Sequence, residues 1–206
     1  MSRSLVFICF LFAGDVVLAE TIFYLHGRIV EDEGPRPVHE RFGLYDYPAI
    51  VDALGSEGAT VVSEVRESGT NAHEYARTVA EKIEAMIANG TAPEDITVVG
   101  FSKGGSIAIF TSHFLSHPDV NFVFIAACAD WLSSAPELMV NGNIFSIYEE
   151  SDGLEGSCAS LASRNENLSS FTELATTTGK EHGAFYLPDD GWVKPLLAWI
   201  EGGEGD

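Results

Sequence analysis

The string Ile96–Gly105 reads ITVVGFSKGG, and within it Gly100-Phe101-Ser102-Lys103-Gly104 has the form G-x-S-x-G. Three fixed residues in five mean little by themselves. Here a β-branched run stands immediately before the motif and an apolar helical run immediately after it, which is the context in which such a serine reacts. A sharp strand-to-helix turn holds the serine in strained backbone geometry, pointing away from the sheet. Gly100 and Gly104 lack side chains because neighbouring backbone passes close to them, and Gly105 lets the helix pack tightly. The helix start below Ser102 offers free amides and a positive dipole end, which favour an oxyanion. A neutral serine is a weak nucleophile and needs a base within hydrogen-bond reach. The histidines and cysteines show no C-x-x-C or H-E-x-x-H spacing, and no Gly-rich phosphate loop is present, so neither a metal nor a cofactor is expected.

The elements that must position this serine alternate between β-rich apolar runs and helical patterns, the signature of a parallel sheet flanked by helices. Strands are expected at Thr21–Leu25, Thr60–Val65, Ile96–Phe101, Asn121–Ala127, Ile144–Tyr148 and Ser170–Leu174. Near-continuous apolar runs such as TVVGF and FVFIAA fit strands covered on both faces. The clearest helix is Ala72–Ala88, with Ala76, Val79, Ala80, Ile83 and Ile87 on one face, Asn71 as its cap and Gly90 as its stop. Gly104–Leu115 and Trp192–Ile200 complete the helical set. Residues 28–46 carry two prolines, many charges and no sustained period, and read as one long irregular loop of functional or mobile character.

The strand, serine turn and helix resemble the nucleophile elbow of the α/β-hydrolase family, and the resemblance spans Thr21 to the last helix. It implies an α/β fold with a mostly parallel central sheet and a triad ordered nucleophile, acid, base. Both remaining slots are occupied. Glu149-Glu150-Ser151-Asp152-Gly153 follows the fifth expected strand, and Gly179-Lys180-Glu181-His182-Gly183 follows the sixth. By order and location, His182 is the base and Asp152 the acid that orients it, with Glu149 and Glu150 in reserve. His26, His39, His73, His113 and His117 have poorer positions. The resemblance places one oxyanion donor on the Lys103 amide. A second falls on the amide of Arg28, with Gly27 behind it, in the stretch Leu25-His26-Gly27-Arg28 that is similar to the family's His-Gly signature.

Length and composition agree. The 206 residues suit one mid-sized domain, and 46% hydrophobic residues suffice for one core. A formal charge of −20 repels phosphate backbones and anionic lipid heads, which argues against nucleic-acid and membrane-surface roles. No run of eighteen apolar residues spans a bilayer. Residues 1–19 have a positive start at Arg3, an apolar run from Leu5 to Gly14 and small residues at Val17 and Ala19, the layout of a secretory signal peptide. The expected organisation is therefore a signal at 1–19 and one hydrolase domain at 20–206, secreted or periplasmic. Cys9 leaves with the signal. Cys128 and Cys158 remain, either as one disulfide or as two buried thiols.

Six of the ten lysines and arginines after residue 19 fall in loops that follow strands: Arg28, Arg36, Arg41, Arg66, Lys103 and Lys180. Such a rim could orient an anionic or strongly polar substrate, with Arg41 in contact. Glu31, Asp32, Glu33, Glu67, Glu149 and Glu155 occupy the same loops, and charge pairing is the stronger reading. Fewer than twenty residues separate the fourth and fifth strands, which leaves no room for a large cap. The loop Ala129–Val140 could line an acyl pocket with Trp131, Leu132, Leu138 and Met139, or belong to the core. The expected function is hydrolysis of a small carboxylic ester or related acyl substrate. A lipase, thioesterase, polyester depolymerase or peptidase would use the same triad, and a binding protein on this scaffold is the alternative. These motifs leave the oligomeric state open.

Overall fold

Side-chain alternation along the strands sorts the apolar residues onto two faces of one sheet. The computed structural model describes residues 20–165 and 168–202; the expected signal segment lies outside them. The main strands are β1 (Thr21–Leu25), β4 (Thr60–Val62), β5 (Ile96–Phe101), β6 (Asn121–Ile125), β7 (Asn143–Glu149) and β8 (Ser170–Thr176), all parallel in the order β4-β1-β5-β6-β7-β8. Phe23, Leu25, Val98, Phe122, Phe124 and Ile144 face α3 (Ala72–Ala88) and α4 (Lys103–Leu115), where Ala76, Val79, Ile83, Ile107 and Ala108 meet them. Ile22, Tyr24, Val99, Phe101, Val123 and Ile147 face the other way. They pack on α2 (Tyr47–Leu54) and α6 (Asp190–Ile200) through Ile50, Leu54, Trp192 and Leu196. Core contacts of this kind are worth about 1.5–3 kcal/mol for each large side chain removed from water.

Asn71 caps α3 as its type requires, its Oδ1 accepting from the amides of His73 and Glu74 at 3.0 and 3.1 Å. Two strands end earlier than expected. β4 stops at Val62 and β6 at Ile125, because the residues beyond have no neighbour in register. Residues 28–46 are not one irregular loop. They form α1 (Arg28–Glu33) and a two-stranded antiparallel hairpin, β2 (Val38–His39) and β3 (Gly43–Leu44), after which Asp46 caps α2 by accepting from the Ala49 amide. Between β6 and β7 the chain makes only a 3₁₀ turn at Asp130–Ser134, so no cap domain is inserted there. A last short helix, α5 (Ala159–Ala162), precedes β8.

The register aligns Leu25 with Gly100, Phe101 with Ile125, and Ile125 with Ile147. The carboxyl ends of the central strands therefore share one edge. From β1 the chain goes outward to β4, and from β5 it goes the opposite way to β6. The edge between β1 and β5 is thus the switch point where ligands bind in open α/β sheets.

Candidate active site

Ser102 sits at φ 53°, ψ −119°, between the last residue of β5 and the first of α4. A non-glycine residue held there costs of order 1–3 kcal/mol, and the surroundings must enforce it. Its amide donates to the Ile125 carbonyl at 3.0 Å, and its carbonyl accepts from the Ser106 amide at 3.0 Å. The glycines are needed for approach. A Cβ on Gly104 would run into the carbonyl of Leu25, and one on Gly100 into the carbonyl of Gly104.

His182 lies in a 3₁₀ turn, Glu181–Phe185, after β8, and its Nδ1 is 2.6 Å from Asp152 Oδ2. Both side chains are buried. With Nδ1 facing a carboxylate, the proton is assigned to Nδ1, and Nε2 is the free ring nitrogen. The imidazole packs 4.9 Å from the Phe101 ring, beside the serine, and 6.0 Å from Phe42. No hydrogen bond joins Ser102 Oγ to His182 among the described residues. Both residues follow the carboxyl ends of strands in the same parallel sheet.

Glu149, a reserve for the acid, has a different occupation. Its buried carboxylate accepts from the amides of Thr178 and Gly179, each at 2.9 Å, and from the hydroxyls of Ser151, Thr176 and Thr178. Ser151 Oγ in turn accepts from the Glu181 amide at 3.1 Å. Glu149 therefore ties the loop of Asp152 to the loop of His182. Burial alone would raise its pKa, but the Thr178 amide, Ser151, the Gly179 amide and Thr176 outweigh it and hold the carboxyl at about 2. Nothing in the sequence separates this strut from the surface glutamates.

The amides of Arg28 and Lys103 both occupy the first position of a helix, where no intrahelical acceptor exists. His26 sets the direction of the first. The Arg66 amide donates to His26 Nε2 at 3.1 Å, which leaves the proton on Nδ1, 2.9 Å from the Gly27 carbonyl. Because a trans peptide aims its C=O and N–H oppositely, this bond turns the Arg28 N–H away from His26. Burial first, and Arg66 second, push the His26 pKa down to about 4, so the ring is neutral at ordinary pH. Gly27 itself donates to Tyr45 Oη at 3.4 Å, and a Cβ there would press on the Phe101 ring at 3.1 Å. Below the two amides, the fully buried carboxylate of Glu31 joins Arg66 Nε at 2.8 Å and Lys103 Nζ, linking the loop after β1 to the serine turn.

Arg28, Ser102, Lys103, Ser106, Phe110, Trp131 and Glu155 line a cleft of about 440 Å³. Trp131 and Glu155 also belong to an adjoining cavity of about 540 Å³ that holds Asp130, Asp152 and Leu132. Trp131 lines the same cleft as Ser102, whereas Leu138 is core and Met139 faces solvent. The suggested cationic rim does not exist as a free surface. Arg28 pairs with Asp32, Arg36 with Asp46, Arg41 with Glu181, Arg66 and Lys103 with Glu31, and Lys180 with Asp189. Arg41 lines a separate cavity with Phe42, Leu44 and Tyr186, outside the cleft that holds Ser102. Cys128 and Cys158 form a disulfide, with Cα atoms 5.3 Å apart.

No family model and no curated protein matches this sequence. Solved structures do match it in shape. LipS and LipT, metagenome-derived lipolytic enzymes, are matched at a TM-score of 0.59 and 12% identity over 88% of this chain and 93% of the other. A sugar hydrolase, YeeB, from Lactococcus lactis is matched at 0.58 and 14% over 89% of each chain. Alpha/beta hydrolase domain-containing protein 10 from mouse is matched at 0.56 and 12% over 88% of each. At such identities the likeness concerns architecture alone.

Proposed function

We propose, from the α/β-hydrolase fold that the chain has, that it is a serine hydrolase acting on a carboxylic ester or related acyl substrate. Ser102 Oγ attacks the acyl carbon while His182 Nε2 takes the hydroxyl proton, and Asp152 holds the imidazole in the required tautomer and stabilises the imidazolium. The amides of Arg28 and Lys103 receive the oxyanion. Collapse of the tetrahedral intermediate expels the alcohol, which leaves with the proton from His182. Water, deprotonated by the same nitrogen, then attacks the acyl-serine, and Ser102 recovers its proton as the acid departs. Substrate closes the Ser102–His182 bond, as is common for catalytic contacts that are loose without ligand.

The observation that carries this reading is the left-handed bend at Ser102 together with an imidazole, 4.9 Å from the ring of the preceding Phe101, already bonded to a buried carboxylate at 2.6 Å. The cleft has no cap, which suits small esters or exposed polymer ends. The disulfide supports residence in an oxidising compartment, in keeping with an exported chain. The test is incubation with a fluorophosphonate followed by intact-mass measurement. One adduct is expected, absent in Ser102→Ala and strongly slowed in His182→Ala, and p-nitrophenyl esters of rising chain length then rank acyl groups. A folded chain that stays unlabelled and hydrolyses none of these esters is a binding protein on this scaffold.

A further inference from the structure

The rim of the cleft separates its charges unevenly. Both cations that line it, Arg28 and Lys103, have carboxylate partners, while Glu155 has none: neither oxygen takes part in a hydrogen bond or ion pair among the described residues, and Oε2 is buried. Glu155 lies on the wall shared by the cleft of Ser102 and the adjoining cavity. The charged groups around it come from three directions. Asp152, engaged with His182, stands on the same loop; Asp130 lies on the segment after β6; and Arg28 and Lys103 stand across the cleft, already paired with Asp32 and Glu31. Among the described residues, no lysine or arginine lines the adjoining cavity. We propose that Glu155 determines specificity in the reaction assigned above, by selecting substrates that carry a positively charged group, an ammonium or guanidinium, on the side that meets Trp131.

A carboxyl with little water, no counterion and a like charge nearby is unfavourable as an anion. Burial first, then Asp152, push its pKa up to about 7. A hydroxyl from the substrate would satisfy one lone pair and leave the repulsion from Asp152 in place. A cation removes both deficits. Trp131 and Phe110, with ring centroids 5.5 Å apart on the same wall, add aromatic faces that attract a cation further. An anionic substrate would meet the opposite field, which reverses the preference that the count of basic residues suggests.

The proposal rests on the hydrolase reading, and the experiment separates the two. Acetylcholine and 3,3-dimethylbutyl acetate have nearly the same shape and differ by one charge. At pH 8 the wild-type kcat/KM is expected to favour the cation by ~10-fold, and the ratio should fall toward 1 in Glu155→Gln. In the wild type the ratio should also decline as pH drops below 7. Choline binding, followed by titration calorimetry, should weaken by a similar factor in the same variant. Hydrolysis of both esters without charge preference, or a preference unchanged by Glu155→Gln, overturns this proposal and leaves the hydrolase intact. Choline binding that depends on Glu155, in a chain that hydrolyses neither ester and takes no fluorophosphonate, does the reverse.

Discussion

Glu149 and Glu155 lie six residues apart on either side of Asp152, and the structure treats them oppositely. Glu149 receives two amides and three hydroxyls and stays ionised far into acid. Glu155 receives no bond among the described residues and resists ionisation up to about pH 7. Both are removed from water to a large degree, so burial cannot explain the difference. Backbone amides of the neighbouring loop converge on the first and none reaches the second. One carboxylate completes its bonds inside the protein and becomes a strut; the other leaves them incomplete at the cleft wall, open to whatever enters the cleft.

Asp152, between the two, gives the largest expected effect. Asp152→Asn should lower kcat for ester hydrolysis by about 10³–10⁴ with little change in melting temperature, since shape is kept and the tautomer is lost. An equal loss of activity and stability would make Asp152 a second strut. Next comes Glu149→Gln, which should destabilise the fold by about 2–3 kcal/mol at pH 7 in urea unfolding, because charge-assisted bonds to two amides are weakened. Its folded pKa lies below the ordinary 4.5, so its contribution is present above pH 4.5 and is lost as pH falls toward 2. Glu155 has the opposite sign. Its folded pKa lies above 4.5, so the native state is penalised increasingly from pH 4.5 to about 7 and constantly above. Glu155→Gln should thus match the wild type at pH 4 and exceed its stability by about 1 kcal/mol at pH 8. A stability gain that does not depend on pH would show that the comparison misplaces the charge. Smallest is Arg41→Ala, which removes an exposed pair with Glu181 and should change unfolding by less than ~0.5 kcal/mol and ester turnover by less than about twofold.

Regular elements were readable where a single period runs long enough. Ala72–Ala88 matches its apolar face, cap and end, and the serine turn is legible because glycines mark where backbone crosses backbone. Residues 28–46 were not legible as α1 and a hairpin. A helix of six residues shows only Ile29 and Val30 as an apolar stripe, and a two-residue strand has no alternation to detect. The start of α2 did leave a signal, Asp46 before Tyr47-Pro48, that a capping argument would have found. That the charges of these loops pair was legible; which partner each finds, and which pairs are buried, was not. Glu31 stands in the run RIVEDE, where charge pairing is expected but burial is not marked, and its side chain is fully buried between Arg66 and Lys103. Whether a carboxylate finds amides, a guanidinium or nothing is decided by loops distant in sequence, and no local pattern records it.

The bond between Cys128 and Cys158 bridges the two strips of chain that carry Trp131 and Glu155, and the Gly156 amide reinforces the seam by donating to the Cys128 carbonyl at 2.8 Å. In chain-entropy terms, closing a ring of this size is worth about 3–4 kcal/mol. Ser102 and His182 lie outside that ring, and Asp152, inside it, is held to His182 by its own 2.6 Å contact. Reduction would therefore slacken the wall that recognises substrate before it disturbs the groups that cleave it, so a reduced chain would lose discrimination earlier than turnover.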